Sequence, residues 1–235
     1  MKRNKLKLKR LLIIPARSGS KRIINKNIKR FFKRPIFEYG LNVAKKSKLF
    51  ETIHISTNDK KLIKILKNHQ SFDNFKRPNY LSNDKTPLVD VIKFVNQEFE
   101  KKDLFHDEIW ILLPCSPLVE VKDLKKGAKI LKKNSAFTTV GLNRIPIQWS
   151  YEIKSNILHP LEKSFLKKQS QNLKKTYSEI GVFAGWRTGY FKKIIEKKRD
   201  FRFYPLILSF FKSFDIDTLD DWKIVEKIYK FKLHK

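Results

Sequence analysis

The chain is short of cysteine, glycine, acidic residues and long apolar runs. One cysteine in 235 residues, Cys115, excludes an internal disulfide and a cysteine-built zinc cluster. His54, His69, His106, His159 and His234 are scattered with no metal-ligand spacing among them. Only 7 glycines are present, so one inside a loop marks a turn that other residues adopt poorly. No run approaches the ~18 apolar residues of a membrane span, and no membrane partner is expected. The N-terminal MKRNKLKLKR is basic, but Leu11–Ile14 is too short for a signal-peptide core and no small-residue cleavage site follows, which points to the cytoplasm. Acidic residues number 23 against 53 Lys and Arg, a net charge of +30. Such an excess suits nucleic acid when it is gathered on one face. Here the lysines are spread along every expected helix, and no helix-turn-helix, zinc-finger or RNA-binding signature occurs. The expectation is no nucleic-acid partner, with a positive field that steers small anionic substrates.

What is present alternates between two periods. Strands are expected at Leu11–Ile14, Thr52–Ser56, Glu108–Leu113, Ala136–Gly141, Tyr177–Trp186 and Tyr204–Phe210. Helices are expected at Pro35–Ser47, Lys60–Asn68, Pro87–Phe99, Val121–Lys133, Tyr190–Lys198 and Asp220–Phe231. This rhythm implies one α/β domain over residues 1–235, a Rossmann-like three-layer α/β/α fold with a mostly parallel sheet. Between Arg144 and Lys175 the rhythm breaks into short runs around Pro146, Trp149, Tyr151 and Pro160. This stretch, 144–175, reads as an inserted hairpin that makes a dimer contact, or as a long surface connection.

In an open parallel sheet, ligands sit beyond the C-terminal ends of the strands. "IIPARSGSKRIINKN" (Ile13–Asn27) occupies that place after the first strand. Gly19 between Ser18 and Ser20 lets backbone N–H groups face an anion, and Arg17, Lys21 and Arg22 add charge suited to phosphate. The loop matches neither a Walker sequence nor a dinucleotide fingerprint. At the other end of the chain, Asp215 and Asp217 are two apart in an extended segment and share a face. Two converging carboxylates suit Mg²⁺, which takes oxygen ligands and shares them with phosphate. Thr218 and Asp221 read instead as a capping box for the last helix. No His or Glu stands out as a general base, so the metal is expected to lower the pKa of the acceptor hydroxyl.

The wording of these segments is more specific than their physics. "PARSGSKRIINKN" resembles the A-R-x-x-S-K-x-x-x-x-K-N motif of the cytidylyltransferases that activate nine-carbon acidic sugars, the CMP-nonulosonic acid synthetases or acylneuraminate cytidylyltransferases. "STND" (Ser56–Asp59) looks like their S-T-D-D, "RPNYLSNDKT" (Arg77–Thr86) like R-P-x-x-L-x-x-D-x-T, "LLPCSPL" (Leu112–Leu118) like L-Q-P-T-S-P-L, and "FDIDTLDDW" (Phe214–Trp222) like D-I-D-T-x-x-D-W. The resemblance implies an enzyme that moves CMP from CTP to the anomeric hydroxyl of a nonulosonic acid and releases pyrophosphate. Arg17, Ser20 and Lys21 would hold the triphosphate, and Ala16, Asn27 and Arg77 would complete the nucleotide pocket. The loop bearing Asp84, Thr86 and Leu88 would lie against cytosine. Arg17, Lys21, Asp215 and Asp217 would be the catalytic set, with both aspartates on Mg²⁺. A homodimer through 144–175 is implied as well.

The departures bear on the sugar. Sialic-type members carry Gln where Leu113 stands and Arg where Val119 stands, so the contact has become apolar. "KKQSQNLKKTYSEIGVFAGW" is similar to the R-S-Q-D-L…Y-x-x-x-G-x-F-Y-W segment of pseudaminic acid cytidylyltransferases. Ser170, Gln171, Leu173, Tyr177, Gly181 and Phe183 match, while the Arg falls on Gln169 and the Asp on Asn172. The acceptor site is then expected at Leu113, Lys168, Gln171 and Tyr177, with Lys167 or Lys168 for the sugar carboxylate. Trp149, Tyr177 and Trp186 are candidates to stack on the sugar or to pack in the core. Sialic, legionaminic or CMP-Kdo-type transfer is the alternative within the fold; a nucleic-acid-binding protein or an inactive relative is the alternative outside it.

Overall fold

The computed structural model describes residues 8–67, 75–197, 200 and 202–233. His69 and His234, and the ends of the helices expected to reach Asn68 and Lys198, lie outside the described residues.

Leu11–Ile14 has no exposed side chain, as a central strand covered on both faces requires. It forms the body of β1 (Arg10–Pro15). A two-residue-per-arm hairpin follows, β2 (Arg30–Phe31) with β3 (Arg34–Pro35), and then α1 (Phe37–Ser47), β4 (Thr52–Ser56) and α2 (Lys60–Lys67). The chain continues through α3 (Leu88–Glu100), β5 (Glu108–Leu112), α4 (Val121–Lys133) and β6 (Ala136–Leu142). The last section holds β7 (Tyr151–Lys154), β8 (Ile157–Pro160), β9 (Tyr177–Arg187), α5 (Thr188–Ile195), β10 (Tyr204–Ile207) and α6 (Leu219–Leu233).

Six strands form one sheet in the order β10-β6-β9-β5-β1-β4. β1 runs parallel to β4 and β5, and β10 parallel to β6, so the sheet is mostly parallel. β9 is the exception: it lies antiparallel between β5 and β6. Alternate residues feed two apolar layers. Leu12, Ile14, Trp110 and Phe137 pack under α1, α2 and α4. Leu11, Ile13, Ile109 and Trp186 pack under α3 and α5. This is the expected α/β/α sandwich.

The expected strand Tyr204–Phe210 stops at Ile207, because Phe210–Lys212 winds into a 3-10 turn. Lys212 holds that turn in place. Its Nζ lies 2.5 Å from both Glu120 Oε2 and Asp123 Oδ2 at the start of α4. Glu120 Oε1 also meets Lys232 of α6 at 2.6 Å. Burial raises the Glu120 pKa, but Lys212, Lys232 and Lys122 outweigh it and hold the carboxyl well below its ordinary range. The capping box foreseen at Thr218 and Asp221 is present: the Asp221 carboxylate accepts from Thr218 N at 2.7 Å, and Asp221 N donates to Thr218 Oγ1 at 3.2 Å.

The segment 144–175 contains the β7–β8 hairpin, which pairs with no strand of the main sheet. Its side chains are bare: Ile145 is 79% exposed, Ile153 71% and Leu161 63%.

Candidate active site

After Pro15 the chain crosses the end of β4 and is tied there. Ala16 N donates to Ser56 O at 2.9 Å, and Ser18 N and Oγ donate to Asn58 Oδ1 at 2.9 and 3.2 Å. Gly19 has φ +79°, a left-handed turn that any side chain would strain. Asn27, buried, closes the loop by donating from Nδ2 to Arg17 O at 2.9 Å. The Cys115 thiol in turn faces Asn27 Oδ1 at 3.8 Å. The loop is therefore fixed at its base while its basic side chains face out.

These side chains face a cavity of about 400 Å³. Arg17, Ser20, Lys21 and Lys26 line one side, and Asp215 and Asp217 the other. Residues nearly 200 positions apart thus meet across one space, on the C-terminal side of β1 and β5. The contact between the two groups is direct. Arg22 pairs with Asp217 Oδ2 at 2.8 Å, and Lys26 Nζ reaches Ile216 O at 2.5 Å and Asp217 Oδ1 at 3.4 Å. Asp84 bridges Arg17 and Lys21, the latter at 2.7 Å. Hydrogen bonds from Lys21 and Arg17 lower the Asp84 pKa. Desolvation in the cavity, followed by the Asp217 carboxylate, raises that of Asp215. Burial pushes the Cys115 thiol up to about 12, so it stays neutral and offers no thiolate.

Other expected residues take different places. Ala16 is wholly buried and acts through its backbone. Arg77 is buried behind the loop, bound to Ser56 Oγ and Ser56 O at 3.0 Å each. Burial, then Arg17 nearby, lowers the Arg77 pKa to about 10. Ala16 and Arg77 do not line the cavity; they brace β4 and the loop beneath it. Thr86 bonds to Tyr80 O at 3.3 Å on the neighbouring loop, and Leu88 opens α3 beside a second, apolar cavity. Leu113 forms the wall between the two cavities. Val119 sits in the core rather than at the site. Lys168, Gln171 and Tyr177 are exposed and line neither cavity; Lys168 lies over the Phe165 ring, and Gln171 bonds to Gln169 at 2.7 Å. Trp149 donates to Phe165 O at 3.1 Å, and Trp186 packs on Phe191 in the core.

Sequence reading missed Arg22 and Lys26 as partners of Asp217, and Asn58 as the tie on Ser18. The i, i+4 placement of Arg22 and Lys26 was visible, but their shared target was not.

The donor set around Asp215 and Asp217 suits a hard cation: two carboxylate side chains, with burial and then the Asp217 charge raising the Asp215 pKa, beside a Cys115 thiol that stays neutral and offers no soft ligand. Among the described residues no three His, Cys, Asp or Glu side chains form an all-protein cage. Mg²⁺ tolerates that, since it completes its shell with water and phosphate.

Comparison with known proteins agrees with this geometry. The chain is 29% identical over 231 residues to the pseudaminic acid cytidylyltransferase of Campylobacter jejuni, covering 95% of this chain and 97% of that one. It is 27% identical over 231 residues to the CMP-N,N'-diacetyllegionaminic acid synthase of Legionella pneumophila, covering 93% and 95%. The fold matches that of a CMP:2-keto-3-deoxy-manno-octonic acid synthetase solved with CTP, at TM-score 0.69 and 12% identity over 95% of this chain and 99% of that one. A cytidylyltransferase profile matches residues 11–234, nearly the whole sheet and both walls of the cavity, and the chain belongs to the cytidylyltransferase family.

Proposed function

We propose that this cytidylyltransferase transfers CMP from CTP to the anomeric hydroxyl of a nonulosonic acid, of pseudaminic type first, and releases pyrophosphate. One observation carries the reading: Arg17, Ser20 and Lys21 face Asp215 and Asp217 across a single cavity large enough for a nucleotide. The relatives named for pseudaminic and legionaminic acids support the acceptor class. Leu113 at the junction of the two cavities favours a deoxygenated acceptor over a more hydroxylated one.

In this reading Arg17 and Lys21 release Asp84 and take the triphosphate, while Ser20 adds a hydroxyl donor. Gly19 keeps the turn tight enough for backbone N–H groups to approach the phosphates. Asp215 and Asp217 hold Mg²⁺, which when bound neutralises phosphate charge and lowers the pKa of the attacking hydroxyl. Lys26 and Arg22 sit beside this pair, placed to meet charge that develops on the α-phosphate and departs with pyrophosphate. Nothing in the cavity acts as a histidine or thiolate base. The chain works as a homodimer through 144–175, which brings Lys168, Gln171 and Tyr177 from one copy toward the acceptor site of the other. The protein operates in the cytoplasm, where CTP is made. Among the described residues no helix is long and apolar enough to cross a membrane.

The test is incubation with CTP, Mg²⁺ and a panel of nonulosonic acids, with pyrophosphate measured. Release with pseudaminic acid is expected. Release only with a sialic acid or an eight-carbon Kdo-type acid would move the chain to the alternative acceptor, and no release with any acid would sink the reading.

A further inference from the structure

A third cavity, about 450 Å³, is bounded by the β2–β3 turn, α1, the start of α4 and the end of α6. Among the described residues it shares no lining residue with the other two. Tyr39, Asn42, Val43 and Lys46 follow the i, i+3, i+4, i+7 spacing, so one face of α1 makes one side of it.

Its charge is one-sided. Lys33, Arg34, Lys46 and Lys232 line it against a single carboxylate, Glu120. Glu120 is already shared among Lys212, Lys232 and Lys122, at 2.5, 2.6 and 2.9 Å. Lys33, Arg34 and Lys46 pair with no carboxylate among the described residues; Arg34 lies over the Tyr39 ring at 5.7 Å. The first cavity is the reverse, since Asp84 and Asp217 cover its cations. A lone lysine on a convex surface is met by water, but cations that converge on a concavity focus their field on an anion.

Its wall is aromatic. The Tyr229 ring lies 5.3 Å from Phe32 and 5.2 Å from Tyr39. The Tyr39 hydroxyl donates to Phe31 O at 2.6 Å, which fixes that ring. Phe32 is the first of the two residues that turn β2 into β3, and its φ is +51°. A two-residue turn with positive φ at that position favours glycine, and a bulky aromatic there is strained. Such strain persists where a side chain is needed, and the Phe32 ring stands on the cavity's lip, not in the core. Asn42, with no hydrogen bond among the described residues, adds a free amide that both donates and accepts. Rings for a planar base, an amide for its edge and cations for a phosphate chain together describe a nucleoside phosphate. An inorganic phosphate would leave the rings unused.

We infer that this cavity is a second nucleotide site, which takes a nucleoside triphosphate on Arg34, Lys46 and the Phe32 ring, apart from the nucleotide of the first cavity.

The test is equilibrium dialysis of the full chain with each of the four common ribonucleoside triphosphates, alone and with saturating CTP. No sugar acid is present, so the result does not depend on the proposed transfer. Two nucleotides per chain are expected. Arg34→Ala with Lys46→Ala weakens one of them by about tenfold or more, the weight of lost charge-assisted contacts, and Lys21→Ala weakens the other. Arg34 and Lys46 are exposed, so the double variant keeps the fold. Phe32→Gly relieves the turn and weakens the same nucleotide as the double variant. Lys125→Ala with Lys126→Ala removes equal charge from an exposed part of α4 and moves neither. If no bound nucleotide responds to the Arg34 and Lys46 pair, the inference falls, whatever the first cavity does. Equal weakening by the two double variants also overturns it, since only the general field of the +30 chain is then at work. So does a site that holds inorganic triphosphate as tightly as any nucleotide. A nucleotide that responds to Arg34 and Lys46 but not to Lys21 supports it even where the first cavity stays silent.

Discussion

The basic loop after β1 and the hairpin of 144–175 are both surface features, yet they handle exposure in opposite ways. The loop is charged and its charges are matched within the chain: Arg17 and Lys21 by Asp84, Arg22 and Lys26 by Asp217. The hairpin pairs Glu152 with Lys154 but leaves the apolar side chains of Ile145, Ile153, Ile157 and Leu161 facing outward. A charge left in water costs little, whereas an apolar cluster left in water marks a surface awaiting a partner. One region is complete in a single chain and poised for a small anion. The other is half of something, and a second copy supplies the rest in the reading proposed above.

The sharpest way to break this contrast is at the carboxylates. Asp215→Asn is expected to reduce kcat by about a thousandfold, the scale of losing a main electrostatic contributor at a phosphoryl centre. The variant should keep the oligomeric state of the parent on gel filtration, because the site and the hairpin are separate. Next, Ile153→Asp with Ile157→Asp should weaken self-association by about a hundredfold, since each buries a charge at an apolar contact. Light scattering across a dilution series would show it, and a parent chain that is monomeric at every concentration would end the dimer reading. CTP binding should survive in that variant while the acceptor KM rises.

A smaller effect is expected from Lys21→Ala. The KM for CTP should rise by about tenfold, one charge-assisted contact, with the melting temperature unchanged. A stability measurement sharpens the fold side of the comparison. Lys212→Met leaves Glu120 and Asp123 short of a cation and should cost about 2 kcal/mol by denaturant titration, in line with breaking a partly buried pair. Its pH dependence has a definite sign. The folded Glu120 pKa lies below the unfolded value of 4.5, so its contribution is fully present above about pH 4.5 and is lost as pH falls below that. The parent's melting temperature should therefore drop more steeply below pH 4.5 than that of the Lys212→Met variant.

Much of this was legible in the sequence for physical reasons that can be named. Leu11–Ile14 reads as a strand because a parallel strand covered on both faces leaves an unbroken apolar run. Asp215 and Asp217 were placed in one cavity by the two-residue period of extended chain. Thr218 and Asp221 formed their cap because that motif is entirely local. What stayed hidden depends on partners far along the chain. Nothing in Tyr177–Arg187 reveals that β9 runs antiparallel, since an apolar pattern has no direction. The β2–β3 hairpin is too short to produce a period. The early end of β10 is set by Lys212 reaching Glu120, some ninety residues away. Arg77 carries the motif's residue type, but only the fold shows that Ser56 holds it behind the loop.

The bridge from Asp84 to Arg17 and Lys21 has a consequence for how binding responds to ionic strength. The loop does not offer naked cations that dissolved ions must cover; it carries its own counterion on a neighbouring loop. An arriving phosphate exchanges with a tethered anion, so fewer mobile ions are displaced than the number of phosphate contacts would suggest. Nucleotide affinity should then fall gently as salt is added, despite a net charge of +30, because the competing charge is already at the site and is not diluted or concentrated with the buffer.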